Sequence, residues 1–206
     1  MKHILHYFPE LTEVQRHQFE QMLELYPEWN AKINVISRKD IDNLEVNHIL
    51  HSMGLIKFVK FVAGMRILDL GTGGGFPAIP LAVYYPDVTF HLVDRVGKKL
   101  RVAQDVAQQL GLTNVTFQHG DIKEVKGRFD FVVSRAVMDL NDMVPLVQRL
   151  IERGNHTAIP NGLLCLKGGD VSAEVARYRK QVLIDDLSSY FSEPYFETKK
   201  IIYLPL

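Results

Sequence analysis

The chain has 206 residues, 47% hydrophobic and 23% charged, the makeup of one globular domain with a modest extension. Its 24 acidic and 24 basic side chains cancel, which excludes a uniformly basic nucleic-acid coat and shifts attention to where Lys and Arg cluster locally. No run approaches the roughly 20 apolar residues of a membrane span, the amino terminus lacks a signal-peptide pattern, and a single cysteine, Cys165, excludes an internal disulfide and suits a reducing, cytoplasmic setting.

Residues 1–63 read as a helical extension. Thr12-Glu13-Val14-Gln15 has the form of a capping box, and Phe19, Met22, Leu23 and Tyr26 recur at helical spacing behind it. Pro27 predicts a break or kink near Tyr26. A second helix is expected over 41–62, with Leu44, Ile49, Met53, Ile56 and Val59 as its apolar face and Gly64 as its stop.

From residue 64 to 206 the texture changes. Short apolar runs at 66–70, 88–94, 115–119, 129–134 and 163–167 have the length of buried strands. Helical patterns near 79–85, 98–110, 140–153 and 171–181 separate them. This alternation predicts an α/β unit with a mostly parallel central sheet and helices on both faces. The segment 195–204 is read as a final edge strand.

The most informative stretch is Asp69-Leu70-Gly71-Thr72-Gly73-Gly74-Gly75-Phe76, between a strand and a helix. Phe76 stands where a dinucleotide fingerprint has its third glycine. Asp69 would repel a pyrophosphate but tolerate a ligand carrying an ammonium and a sulfonium. No Gly-Lys-Ser/Thr follows, so Walker chemistry is absent. Asp94 ends the next strand, 23 residues beyond Gly71, where an acid can accept both hydroxyls of a ribose. Gly120-Asp121-Ile122-Lys123 ends the strand after that, placed to meet an adenine. Loop, acid and third strand end together point to a nucleoside site at the carboxyl edge of the sheet.

Asp69-Leu-Gly71-Thr-Gly73-Gly-Gly75-Phe76-Pro77 with Asp94 resembles a class I S-adenosylmethionine-dependent methyltransferase. Trp29-Asn30-Ala-Lys32-Ile-Asn34, His48-Ile-Leu-His-Ser52, Gly75-Phe76-Pro77-Ala-Ile79-Pro80 and Ser134-Arg135-Ala136 resemble, more narrowly, the bacterial 16S ribosomal RNA guanine-N7 methyltransferases, the RsmG or glucose-inhibited division protein B family. The resemblance spans nearly the whole chain. It implies a Rossmann-like fold behind an N-terminal helical extension, S-adenosylmethionine as cofactor, and 16S rRNA of the small ribosomal subunit as partner. It also implies donor contacts at Gly71, Phe76, Ile122, Lys123 and Arg135, with Gly73 and Asp94 following from the general class I pattern. Two departures are noted: Lys123 replaces a common acidic residue, and Ala78 a usual glycine.

Guanine N7 carries an in-plane lone pair and no proton, so its methylation needs positioning and no general base. The absence of a nucleophilic triad and of an Asn/Asp-Pro-Pro-Tyr motif fits that chemistry. Arg135 is the expected catalytic, positioning residue, able to pair with a carboxylate, donate to guanine O6 or stack on a base; the competing expectation is an ion pair with Asp69 or Asp94. Lys167 is read as a phosphate contact or a surface lysine. Arg95, Lys98, Lys99 and Arg101, with Arg38-Lys39 and Lys57/Lys60, are the local basic clusters that would track an RNA backbone. His48 and His51 lack the further ligands of a zinc motif, so no metal site is expected. Trp29, Phe61 and Cys165 are assigned to packing, and nothing calls for more than a monomer. Three other readings stay open: a methyltransferase for a small molecule or protein, a nucleotide-binding oxidoreductase or regulatory module, and a non-catalytic binding protein.

Overall fold

A computed structural model describes residues 1–135 and 137–206; Ala136 of the Ser134-Arg135-Ala136 motif lies outside the described residues. The chain opens with helices α1 (Lys2–Tyr7) and α2 (Glu13–Lys32). The capping box forms as expected: the Thr12 hydroxyl accepts from the Gln15 backbone, and the Gln15 side chain accepts from the Thr12 backbone at 3.0 Å. The same side chain donates to the Val83 and Tyr84 carbonyls, so it also ties the helix to the larger unit.

Pro27 does not end α2, which runs on to Lys32. A proline inside a helix costs about 3 kcal/mol. Here Phe19, Met22 and Tyr26 are fully buried, and Trp29 donates to Asp105 at 2.7 Å. Those ties hold both sides of the proline and outweigh the lost hydrogen bond.

The single helix expected over 41–62 is three pieces. A 3₁₀ turn (Ile41–Asn43) leads into a π-helical turn (Glu45–Leu50) and then α3 (His51–Phe58). Val59 is already extended, because Phe61 turns inward to pack against Tyr85 and Phe131, with ring centres 5.4 and 5.6 Å away.

The larger unit then alternates: β1 (Arg66–Leu70), α4 (Ala78–Tyr84), β2 (Thr89–Asp94), α5 (Gly97–Gln109), β3 (Val115–His119), β4 (Phe131–Arg135), α6 (Leu140–Val147), β5 (Gly162–Gly168), α7 (Ser172–Val175), β6 (Leu183–Asp186) and β7 (Lys199–Pro205). The seven strands lie in the order β3-β2-β1-β4-β5-β7-β6. The first five are parallel, and β7 is antiparallel to both its neighbours. This is the expected Rossmann-like architecture, with strand order reversing between β1 and β4, the switch point where open α/β sheets bind ligands.

Three boundaries differ from expectation. The segment 171–181 holds only one α-turn before a 3₁₀ turn, because Val171 and Val175 are its only buried side chains and little packing rewards a longer helix. The pattern at 140–153 likewise ends as α-helix at Val147 and closes in a 3₁₀ turn, Gln148–Leu150. The tail strand starts only at Lys199 and is not at the edge. Ile201, Ile202, Tyr203 and Leu204 are all buried between β5 and β6, as a strand covered on both faces requires. The true edge, β6, is four residues long with exposed Leu183 and Ile184, too short to announce itself.

Side chains alternate across the sheet with period two. Ile67, Phe131, Val133, Leu164 and Leu166 face a core that also contains the buried residues of α1–α5. Leu68, Leu70, Val132, Leu163 and Cys165 face a second core built with α6 and α7. The residues before Gly64 therefore share one hydrophobic core with the sheet. The same alternation directs Asp69 and Arg135 toward the helical extension.

Candidate functional site

A cleft of about 320 Å³ opens at the carboxyl ends of β1 and β2, bounded by Leu70, Gly71, Val93, Asp94, Gly120 and Ile122, with Lys99, Val137 and Met138 at its margin. Its size is at the lower end of small-molecule pockets. A more open depression of about 750 Å³ at the opposite edge gathers Arg128, Arg149 and Arg153. It has no glycine loop, and Arg149 is spent on the Val125, Ile122 and Lys123 carbonyls.

The glycine loop is shaped from both sides. Gly71 and Thr72 donate to the Val93 carbonyl. Gly71 takes φ +68°, and a Cβ there would lie 2.6 Å from the Val137 side chain, so only glycine keeps this wall of the cleft open. Asp94 accepts from the Gly73 backbone and from the Val96 backbone, each at 2.7 Å. A carboxylate has about four lone-pair directions, so both oxygens keep capacity for ribose hydroxyls.

Beneath the loop, Tyr26 of α2 donates to the Gly74 carbonyl at 2.8 Å. Asp69 is fully buried; one carboxylate oxygen accepts from Thr72 Oγ1 at 2.7 Å and from the Ala78 backbone at 3.1 Å, while Oδ1 has no partner among the described residues. Burial pushes the Asp69 acid up to about 7, with hydrogen bonds from Thr72 and Ala78 pulling the other way.

The expected site residues fall into two groups. Gly71, Asp94 and Ile122 line the cleft, and Gly73 is joined to it through Asp94. Phe76 and Arg135 lie on the helical-extension side: the Phe76 ring is buried 4.6 Å from Tyr26, and the Arg135 guanidinium stacks on it at 4.9 Å. Arg135 makes neither of the two ion pairs considered for it; among the described residues its hydrogen bonds go to His48 and the Asn47 carbonyl. Lys123 points to solvent, and its backbone N–H is taken by Asp121, which also pairs with Arg95. Lys167 is neither a phosphate arm nor a surface lysine. It is half-buried, donating to the Met138 carbonyl at 2.6 Å and to Glu174 at 2.8 Å.

Sequence reasoning gave no role in the site to Tyr26, Asp40 or His48. Tyr26 carried a usable signal, since a buried tyrosine hydroxyl needs a partner. Asp40 and His48 meet only because a 3₁₀ turn and a π-helical turn bring them together.

The model of the rRNA small subunit methyltransferase G (GidB) family matches residues 15–201. A ribosomal RNA small subunit methyltransferase G of Bacteroides thetaiotaomicron is 54% identical over 203 residues, spanning 98% of each chain. One from Porphyromonas gingivalis is 53% identical over 201 residues, 97% of this chain and 91% of the relative. Among solved structures, the magnesium protoporphyrin IX methyltransferase of Synechocystis with bound S-adenosylmethionine covers 88% of this chain and 91% of its own with a TM-score of 0.63; at 16% identity that likeness speaks for the fold alone. The chain belongs to the rRNA small subunit methyltransferase G family.

Proposed function

We propose that this protein transfers the methyl group of S-adenosylmethionine to N7 of a guanine in the 16S RNA of the small ribosomal subunit, in the cytoplasm. The observation that carries this reading is the cleft at the β1–β2 edge, walled by Gly71 and Asp94, in a chain of this family.

The residues present fit such a donor. Asp94 and Ile122 offer a ribose acceptor and an apolar surface for adenine. Asp69 Oδ1 is a buried acceptor without a donor, and Arg135 is a half-buried cation with no carboxylate partner among the described residues. A buried polar group left unpaired is costly, and these two have the polarity of the ammonium and carboxylate at the methionine end. The cofactor would supply a methyl group already activated by sulfonium charge.

The protein's own work is then positional. Gly71 and Gly73 let backbone approach the donor, Asp94 fixes its ribose, and Ile122 closes the adenine end, while the backbone N–H and carbonyl of Lys123 are already taken by Asp121 and Arg149. Phe76 supports Arg135, and Arg135 orients the reacting partners. Guanine N7 gives up no proton, so holding it in line with the methyl is the main task, worth up to about 7–11 kcal/mol. Lys98, Lys99 and Arg101 on and beside the rim of the cleft provide a basic approach for an RNA backbone. The test is transfer from tritiated S-adenosylmethionine to small subunits isolated from cells lacking this enzyme. Label in 16S RNA is expected; donor binding with no label in RNA would overturn the acceptor assignment.

A further inference from the structure

Arg135 is not held by packing alone. Its Nη2 lies 2.9 Å from His48 Nδ1, and its Nη1 donates to the Asn47 carbonyl at 3.4 Å. On the far side of the imidazole, His48 Nε2 lies 2.6 Å from Asp40 Oδ2. The Phe76 ring closes one side, its centre 5.5 Å from that of His48 and 4.9 Å from the guanidinium.

Elementary donor–acceptor rules fix the direction of this chain. A guanidinium only donates, so His48 Nδ1 must present its lone pair. A carboxylate only accepts, so the proton sits on Nε2. Burial opposes charge on Asp40, but hydrogen bonds from Asn47 and His48 outweigh it and keep the carboxyl below its usual range. Burial, and then the neighbouring Arg135 cation, push His48 down to about 4, which keeps the ring neutral. An imidazolium would turn an N–H toward the guanidinium and break the contact.

His48 lies in the π-helical turn, a rare geometry that recurs where side chains serve a function. The same turn offers the Asn47 carbonyl to side chains, and Tyr195 also donates to it, at 3.1 Å.

We propose that Asp40 and His48 are positioning residues that hold the Arg135 guanidinium over Phe76 through a neutral, Nε2-protonated imidazole. The relay runs from the helical extension to the end of β4. Its purpose rests on the reading of Arg135 as the residue that orients the reacting partners. The relay itself does not depend on that reading.

Two substitutions separate the halves of the imidazole. His48→Asn places an amide oxygen where Nδ1 was and keeps an acceptor for Arg135. His48→Gln reaches toward Asp40 with an amide N–H and leaves Arg135 without its acceptor. A catalytic group displaced by about 1 Å can lose on the order of 100-fold in rate. At saturating donor and subunit, His48→Gln is therefore expected to lose about 100-fold in kcat and His48→Asn under tenfold, with KM for the subunit unchanged in both. Equal kcat losses in the two variants, or losses confined to Tm, would overturn the relay.

A second measurement works without methyl transfer. The protein has eight histidines, and in ¹⁵N-histidine-labelled protein the His48 resonances are assigned by their absence in His48→Asn. They should report a neutral ring protonated at Nε2 at pH 7, and Asp40→Ala should shift the Nε2 resonance, since its N–H loses the carboxylate acceptor while Arg135 still requires the lone pair on Nδ1. A cationic ring, or one protonated at Nδ1, would refute the relay. Should wild-type protein bind the donor yet label no subunit, the proposed function fails and the spectrum alone decides this point.

Discussion

Tyr26→Phe tests whether the helical extension shapes the donor loop. The substitution removes one oxygen from a fully buried ring and leaves the rest of its packing in place. That hydroxyl donates to the Gly74 carbonyl at 2.8 Å, the one hydrogen bond recorded for this carbonyl among the described residues. Stranding a buried acceptor costs about 1–3 kcal/mol. For a chain of this size each kcal/mol lowers Tm by roughly 2–4 °C. The loop should also loosen, raising the donor Kd severalfold. Tyr84→Phe is the control. Among the described residues its hydroxyl bonds only to Glu10 at the surface, 2.9 Å away, and its loss should stay within about 0.5 kcal/mol. Urea unfolding and calorimetric donor titration of both variants suffice. If Tyr26→Phe is as neutral as Tyr84→Phe in both assays, the extension does not hold the loop.

Further outcomes follow from the same geometry. Gly71→Ala should abolish donor binding, since its Cβ meets Val137 at 2.6 Å in a left-handed backbone; Gly73→Ala, whose Cβ meets no protein atom within 4 Å, should cost only about 1–3 kcal/mol of backbone strain in stability, with the donor weakened by the Cβ placed where the backbone approaches it. Asp94→Ala removes two charge-assisted bonds of about 1.5–3 kcal/mol each and should weaken the donor by at least about 100-fold, whereas Arg135→Ala should damage transfer more than affinity. Equal affinity losses in both variants would contradict the role given to Arg135. Asp69 should impose a pH dependence on stability. Its folded value, about 7, lies above the ordinary 3.8, so the native state binds that proton more tightly. The stabilisation is complete below 3.8 and is lost as pH rises through about 7. Urea unfolding at pH 5 and pH 8 should show a smaller difference in Asp69→Asn than in wild type, and identical differences would dismiss the assignment.

The alternation of apolar runs and helical patterns was enough to read the parallel sheet, because burial on both faces leaves so plain a mark on β1, β4 and β5. The loop and Asp94 were legible for a related reason: glycines and a strand-end acid are local features, set by backbone needs within a few residues. Asp40, His48 and Arg135 were not legible as a unit. Arg135 lies 87 residues from His48, and a period-based reading smooths a 3₁₀ turn and a π-helical turn into one helix. The break expected at Pro27 did not occur for the opposite reason, since a strong local rule was overridden by the tertiary ties of Tyr26, Trp29 and Gln15. The edge strand β6 escaped because four mostly exposed residues carry no alternation.

The most direct test of the proposed chemistry is to locate the methyl group. Small subunits lacking the modification would be incubated with the purified protein and S-adenosylmethionine, and the extracted 16S RNA treated with borohydride and then aniline, which cleaves the chain at N7-methylguanine. One new cleavage, dependent on donor and protein and lost with Asp94→Ala, is predicted. Methyl incorporation without cleavage would place the methyl on another atom and contradict a base-free transfer to guanine N7.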